Sequence, residues 1–390
     1  MCEYGAMTVA IEGTIDPRFM RVKEAFASSF ATRDELGASV TITIDGNVVV
    51  DLWGGHVDKP RTRAWTADTL VNVFSTTKGV TALCALRLAD EGLLDLDAPV
   101  ARYWPEFAQA DKGAIPVRAL LNHQSGLAAI TKPLPPEALF DWNAMTDALA
   151  AQSPWWPPGS GHGYHPVTFG WLVGEVVRRV SGKTIRAYFR DEIASKLGID
   201  FHIGAPASED ARVSDVRGAP PAAPGERSLV GAIMGDPQSL VAKAFVNPMP
   251  LTPAVVNSRA FREAEIPAAN GHATARGIAR LYGALACGGS LDGVRLLSPE
   301  MIARARTEES NGYDLVLGET TRFGLGFMLS HPGASFGALG AFGHPGAGGS
   351  LGFADPEARI GFGYAMNKMG NRILLDPRAT VLIDALYASL

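Results

Sequence analysis

The chain carries its strand signals at its two ends and its helical signals between them. Residues 39–53, SVTITIDGNVVVDLW, hold two β-rich runs around Asp45-Gly46-Asn47. Such residues tolerate the backbone that a tight hairpin requires. The remaining strand candidates are 322–329 (RFGLGFML), 350–354 (SLGFA) and 360–366 (IGFGYAM), the last two forming a hairpin around Asp355-Pro356-Glu357. An isolated hairpin is marginal in water, so both ends are expected in one lobe. Between them lie helical stretches at 168–180 (TFGWLVGEVVRRV) and 183–197, with turns or long loops at 218–225 (GAPPAAPG) and 247–253 (NPMPLTP). A helix over 274–287 precedes the late strands, and 376–389 reads as a closing helix. The expected fold class is α/β (α+β). Residues 1–100 and 260–390 form one domain, and 101–259 form an inserted helical domain with long loops. A cleft between two lobes is a usual place for an active site.

Composition narrows the function classes. A length of 390 residues favours two lobes. With 47% hydrophobic and 19% charged residues, the chain suits a compact protein rather than a disordered one. The net charge of -5, without a basic run, argues against nucleic acid or an anionic membrane as partner. No apolar run approaches the length of a membrane span. Cys2, Cys84 and Cys287 are too scattered for a disulfide framework or a zinc site, and free thiols fit a reducing cytoplasm. The start, MCEYGAMTVAIEG, lacks the basic and apolar blocks of a signal peptide, and Met7 is a second candidate start beside Met1. A cytoplasmic protein is expected, and a dimer is compatible with the sequence.

Residues 72–79 read NVFSTTKG. From there Val80, Leu83, Cys84, Leu88 and Glu91 follow helical spacing, with Gly92 as the stop. Ser75 and Lys78 are therefore expected in the first turn of a helix, on one face. A serine there has backbone N–H groups and the positive dipole end beside it, and a desolvated lysine can take its proton. The plain alternative is a helix cap beside a solvated lysine. A competing nucleophile pattern, G-x-S-x-G, occurs at 333–337 and 348–352. In an α/β-hydrolase an acid and then a histidine must follow the serine. After Ser335 only His344 remains, with no acid between, and after Ser350 there is no histidine. Both matches are read as glycine-rich strand or loop.

Three further segments accompany Ser75-x-x-Lys78: LLNHQSGL at 120–127, PWWPPGSGHGYHP at 154–166, and GHPGAGGS at 343–350. In this order the chain resembles the serine β-lactamase/penicillin-binding-protein superfamily, near class C β-lactamases and family VIII carboxylesterases, over roughly residues 30–385. The resemblance implies a class C β-lactamase-like fold, an antiparallel sheet flanked by helices, with the active site in the cleft. It implies Ser75 as nucleophile and Lys78 with Tyr164 as general base and acid. The backbone N–H groups of Ser75 and Ala347 become the oxyanion hole, and His344 and Gly346 the substrate-binding strand. Two departures matter. Pro166 replaces an asparagine, and His344-Pro345 replaces Lys-Thr, so the cation that holds a β-lactam carboxylate is missing. Both point to uncharged esters, hence a serine carboxylesterase for short- to medium-chain acyl esters. β-Lactamase or D-Ala-D-Ala peptidase activity, acyl transfer to an alcohol, and a catalytically idle binding protein are the alternatives. Trp155 and Trp156 are expected to line the acyl or alcohol pocket, unless they only pack between lobes. Asn122 and His123 are read as structural. His162 and His165 lack a zinc spacing, and the implied chemistry needs neither metal nor cofactor.

Overall fold

The computed structural model describes residues 9–221 and 229–390. Residues 1–8, with Met7 and Cys2, and residues 222–225 of the expected loop lie outside the described residues. Within them the two ends of the chain share one antiparallel sheet of nine strands. Its spatial order is 11–15, 47–55, 37–44, 360–366, 351–355, 342–345, 328–329, 320–323 and 310–313. The hairpin at 39–53 forms as Gly37–Ile44 and Asn47–Gly55. Asp45 and Gly46 take φ of 52° and 78°, the backbone of a type I′ turn. The edge strand Ile11–Ile15 was not anticipated.

The glycine alternation in IGFGYAM has a packing cause. Phe362 and Tyr364 point into the core under the helices Met20–Thr32 and Pro377–Tyr387, with Phe26, Val40 and Leu382. On the opposite face the helix Ala275–Ala286 lies against the same strand. A Cβ at Gly361 would stand 2.3 Å from the Gly283 amide nitrogen, so only glycine lets the helix backbone come this close.

The run 322–329 is not one strand. Thr320–Phe323 and Met328–Leu329 pair through Phe323 and Met328, and the chain reverses between them at Gly324–Gly326, Gly326 having φ of 81°. The two glycines that looked like strand residues supply the turn.

The middle of the chain holds the helices Val117–Leu121, Trp142–Ala151 and Thr168–Ser181, the last stopped by Gly182 at φ 71°. The stretch 183–197 forms as Ile185–Phe189, one wide turn and Ser195–Leu197. This region also contributes a strand. Phe201–Ile203 pairs with Gly271–Ala273, which pairs with Val71–Asn72 directly before Ser75. Among the described residues no helix is long and apolar enough to cross a membrane.

Candidate active site

Ser75 stands in the turn that enters the helix Thr77–Asp90, not in the helix's first turn. Thr76, Thr77 and Lys78 donate their amides to Val73, Phe74 and Ser75, so the entry is a tight i to i+3 winding. Phe74 takes φ of 43°, rare for a bulky residue. The Asn72 side chain holds that bend, accepting from the Phe74 amide at 3.1 Å and donating to Ala269 O at 3.1 Å. The segment 267–271 serves as a template. Its carbonyls at Pro267, Ala268 and Ala269 accept from Thr81, Lys78 and Asn72, and the Gly271 amide donates to Thr77 Oγ1.

The winding brings Lys78 Nζ to 3.1 Å from Ser75 Oγ. Lys78 is fully buried. It also donates to Pro166 O at 2.6 Å and Ala268 O at 3.0 Å. Burial holds its ammonium well below the ordinary lysine value. The buried Tyr164 ring lies 4.7 Å from Nζ. Burial pushes its phenol up, partly offset by a hydrogen bond with Ser75.

The tyrosine loop is fixed by a residue that sequence reasoning missed. The buried carboxylate of Asp314 accepts the Tyr164 amide at 3.0 and 2.9 Å, the Val316 and Leu317 amides at 2.9 Å, and Thr321 Oγ1 at 3.1 Å. The only local signal is the Asp-turn it makes with the residues just after it. His123 Nδ1 accepts the His165 amide at 3.2 Å, and its ring packs against Tyr164 and Phe323. His165 bonds Gly163 O at 2.7 Å and Ser125 Oγ at 2.8 Å; the carbonyl requires the proton on Nδ1, leaving Nε2 to accept. His162 Nε2 reaches Thr321 Oγ1 at 2.8 Å. Asn122 accepts the Gln124 amide. These contacts brace the loop. Among the described residues no group of three or more His, Cys, Asp or Glu could hold a metal ion.

Opposite lies the strand Phe342–Pro345, with His344 buried 5.9 Å from the Tyr164 ring. Its Nδ1 donates to Pro345 O at 2.7 Å, and Nε2 has no protein partner. Burial first, then the Lys78 charge, push its pKa down to about 3, so the imidazole is neutral. The strand runs into a turn packed on the bend that carries Ser75. A Cβ at Gly346 would stand 2.3 Å from Val73 O, and Ser350 Oγ donates to that carbonyl at 2.8 Å. In this turn Gly346, Gly348 and Gly349 donate their amides to Ser350, Arg372 and Gly346. Among the described residues neither the Ser75 nor the Ala347 amide donates to any protein acceptor. Backbone donors are seldom left free unless something else takes them.

Residues 22–385 match the family described as Beta-lactamase. The chain belongs to the Beta-lactamase family. It is similar to the Esterase/beta-lactamase LipL of Mycobacterium tuberculosis (strain ATCC 25618 / H37Rv), 37% identical over 379 residues, covering 94% of this chain and 85% of that protein. Two solved structures are also similar. One is a penicillin-binding-protein homologue from Caulobacter crescentus, at 45% identity and TM-score 0.89, covering 98% of this chain and 100% of that one. The other is a family VIII carboxylesterase, at 43% identity and TM-score 0.88, with the same coverage. The β-lactamase-like fold is thus established.

Ser335 sits exposed in the loop after Leu329, where its Oγ accepts the Gly337 amide. Ser350 is buried and ties two backbone turns together. Neither is placed as a nucleophile. Trp156 is buried; a Cβ on Gly163 would meet its ring at 2.9 Å, and it meets His165 edge-on. It packs behind the tyrosine loop. Trp155 is half-buried, with its indole N–H on Ala129 O at 2.8 Å.

Proposed function

We propose that this chain is a serine carboxylesterase that hydrolyses short- to medium-chain acyl esters through an acyl-enzyme on Ser75. One observation carries the reading: the acceptor set of Lys78. Pro166 O and Ala268 O can only accept. A neutral amine spends both N–H groups on them. Its lone pair then faces Ser75 Oγ, the third contact, and accepts the serine proton. Burial favours that neutral form. Tyr164 keeps its proton at neutral pH, so it serves as the acid rather than the first base.

Ser75 Oγ attacks the ester carbonyl as its proton passes to Lys78. The tetrahedral oxyanion is received by the free amides of Ser75 and Ala347. The leaving alkoxide takes a proton from Tyr164, which recovers it from Lys78. Water then gives up a proton along the same route, attacks the acyl carbon, and returns Ser75 as the acid is released. The neutral His344 and the side-chain-poor Pro166 offer no charge for a β-lactam carboxylate, which supports uncharged esters as substrates. Trp155 offers half-exposed aromatic surface to the acyl or alcohol group, and Gly346 keeps the strand packed on the Val73 turn that leads to Ser75. We place the protein in the cytoplasm as a free enzyme acting on small-molecule esters, and take 101–259 as a lobe inserted between 1–100 and 260–390.

The test is hydrolysis of p-nitrophenyl acetate, butyrate and octanoate by wild type, Ser75→Ala and Ser335→Ala. A folded Ser75→Ala protein loses about 10⁴-fold or more in rate, and Ser335→Ala stays active. Activity that survives Ser75→Ala refutes the reading. The esterase/β-lactamase relative favours one second reading, slow β-lactam cleavage by the same serine, which nitrocefin turnover checks.

A further inference from the structure

We infer that Arg378, buried beside the turn that carries Ala347, is a positioning residue for the Ala347 oxyanion donor. The inference rests on the reading of Ala347 given above.

Arg378 is only 4% exposed. Its five N–H groups are all used. Nε donates to Asp376 Oδ1 at 2.8 Å, and one terminal nitrogen reaches Glu35 Oε1 at 3.1 Å and Lys368 O at 2.7 Å. The other reaches Asp376 Oδ2 at 3.2 Å and Gly348 O at 2.6 Å. Gly348 O also accepts the Gly370 amide at 2.8 Å. The carbonyl one residue beyond Ala347 is therefore clamped twice. On the other side, Gly346 is held through its amide on Ser350 O at 2.7 Å and its carbonyl under the Gly349 amide at 3.0 Å. The Gly346 carbonyl shares a peptide plane with the Ala347 amide and fixes it from one side, and the Gly348 clamp holds the chain on the other. Gly348, at φ 82°, needs such a clamp, because glycine alone does not restrict its own backbone.

The far end of the clamp is costly. Glu35 is fully buried, accepts from Arg378, and takes the Tyr364 hydroxyl on its other oxygen. A buried ion cluster is seldom more stable than well-packed apolar side chains, because desolvation offsets the attraction. Stability alone does not account for this one; orientation of the turn does. The cluster joins the start of strand 37–44, the strand 360–366 and the cap of the helix Pro377–Tyr387 to one carbonyl beside the site.

Arg378→Lys keeps a cation but cannot span both carboxylates and both carbonyls. Losing one oxyanion donor costs about 10²–10³ in rate, and a donor merely released costs less, so kcat on p-nitrophenyl butyrate falls about tenfold or more. KM stays within about twofold, because the ground-state ester does not need the donor. Affinity for an alkylboronic acid, whose adduct with Ser75 places a tetrahedral oxygen in the hole, falls by the same factor as kcat. If Arg378→Lys does not fold, the isosteric Glu35→Gln shows the same pattern at smaller size. A folded variant with unchanged kcat and boronate affinity overturns the inference, as does a rise in KM at constant kcat. Failure of the underlying reading looks different: Ser75→Ala then remains active, whatever Arg378 does.

Discussion

Among the described residues two lysines are completely buried, Lys78 and Lys112, and each reaches three oxygen atoms. The acceptors of Lys112 are three carbonyls: Gln109 at 2.7 Å, Ala150 at 2.9 Å and Gln152 at 2.5 Å. Three obligate acceptors demand three donors, so Lys112 is held as an ammonium although burial lowers its pKa. Two of those carbonyls lie at the C-terminal end of the helix Trp142–Ala151, where a cation suits the dipole. Lys78 differs by one partner. A serine hydroxyl replaces the third carbonyl, and a hydroxyl can donate. On the proposed reading that exchange, together with the deeper desolvation of Lys78, separates a structural staple from a base.

The comparison breaks first on paired variants. Lys78→Met is expected to lower kcat/KM by about 10³-fold, measured on p-nitrophenyl butyrate, while Lys112→Met leaves kcat per folded molecule unchanged. In urea denaturation the ranking reverses. Lys112→Met strips donors from three carbonyls, one buried and two part-buried, and loses about 2 kcal/mol; Lys78→Met strips two and loses less. Equal activity losses in both variants would sink the distinction.

A pH series sharpens it. The native pKa of Lys78 lies below its unfolded value of about 10.4, so between the two the unfolded chain binds more protons. Stability therefore rises with pH across that window and levels off above it. Lys78→Met should flatten this rise. The acid limb of kcat/KM should likewise sit well below the ordinary lysine range; a limb near 10 would mean a charged Lys78.

The histidines work on the acid side. Burial holds His165 and His344 at about 3, against about 6.5 when unfolded. The unfolded chain binds their protons first, so stability falls as pH drops through that window. Melting temperature measured from pH 7 to pH 4 should decrease. Replacing His165 by glutamine should reduce the slope. The smallest effect is expected from Trp155→Ala, a several-fold change in preference between acetate and octanoate esters at nearly constant melting temperature.

Much of the molecule was legible beforehand. Turn chemistry at Asp45-Gly46 and helical periodicity after Ser75 rest on local physics, and both elements formed. The run 322–329 was misread because glycine suits a strand packed under a helix and a reversal equally well. Asp314 and Arg378 were invisible for another reason. Their partners, Tyr164 and Gly348, lie far off in the chain or are backbone atoms, which carry no residue signature.

The sequence by itself determined which chemical groups exist and in what order: a serine one turn before a lysine, a tyrosine after a Pro/Gly turn, a histidine strand ending in glycines. Only the tertiary structure decided their surroundings and aim. Whether a lysine is a base depends on what surrounds its nitrogen. Here that is two carbonyls from distant segments and a hydroxyl. Those neighbours arrive through long-range packing, which spacing along the chain does not encode.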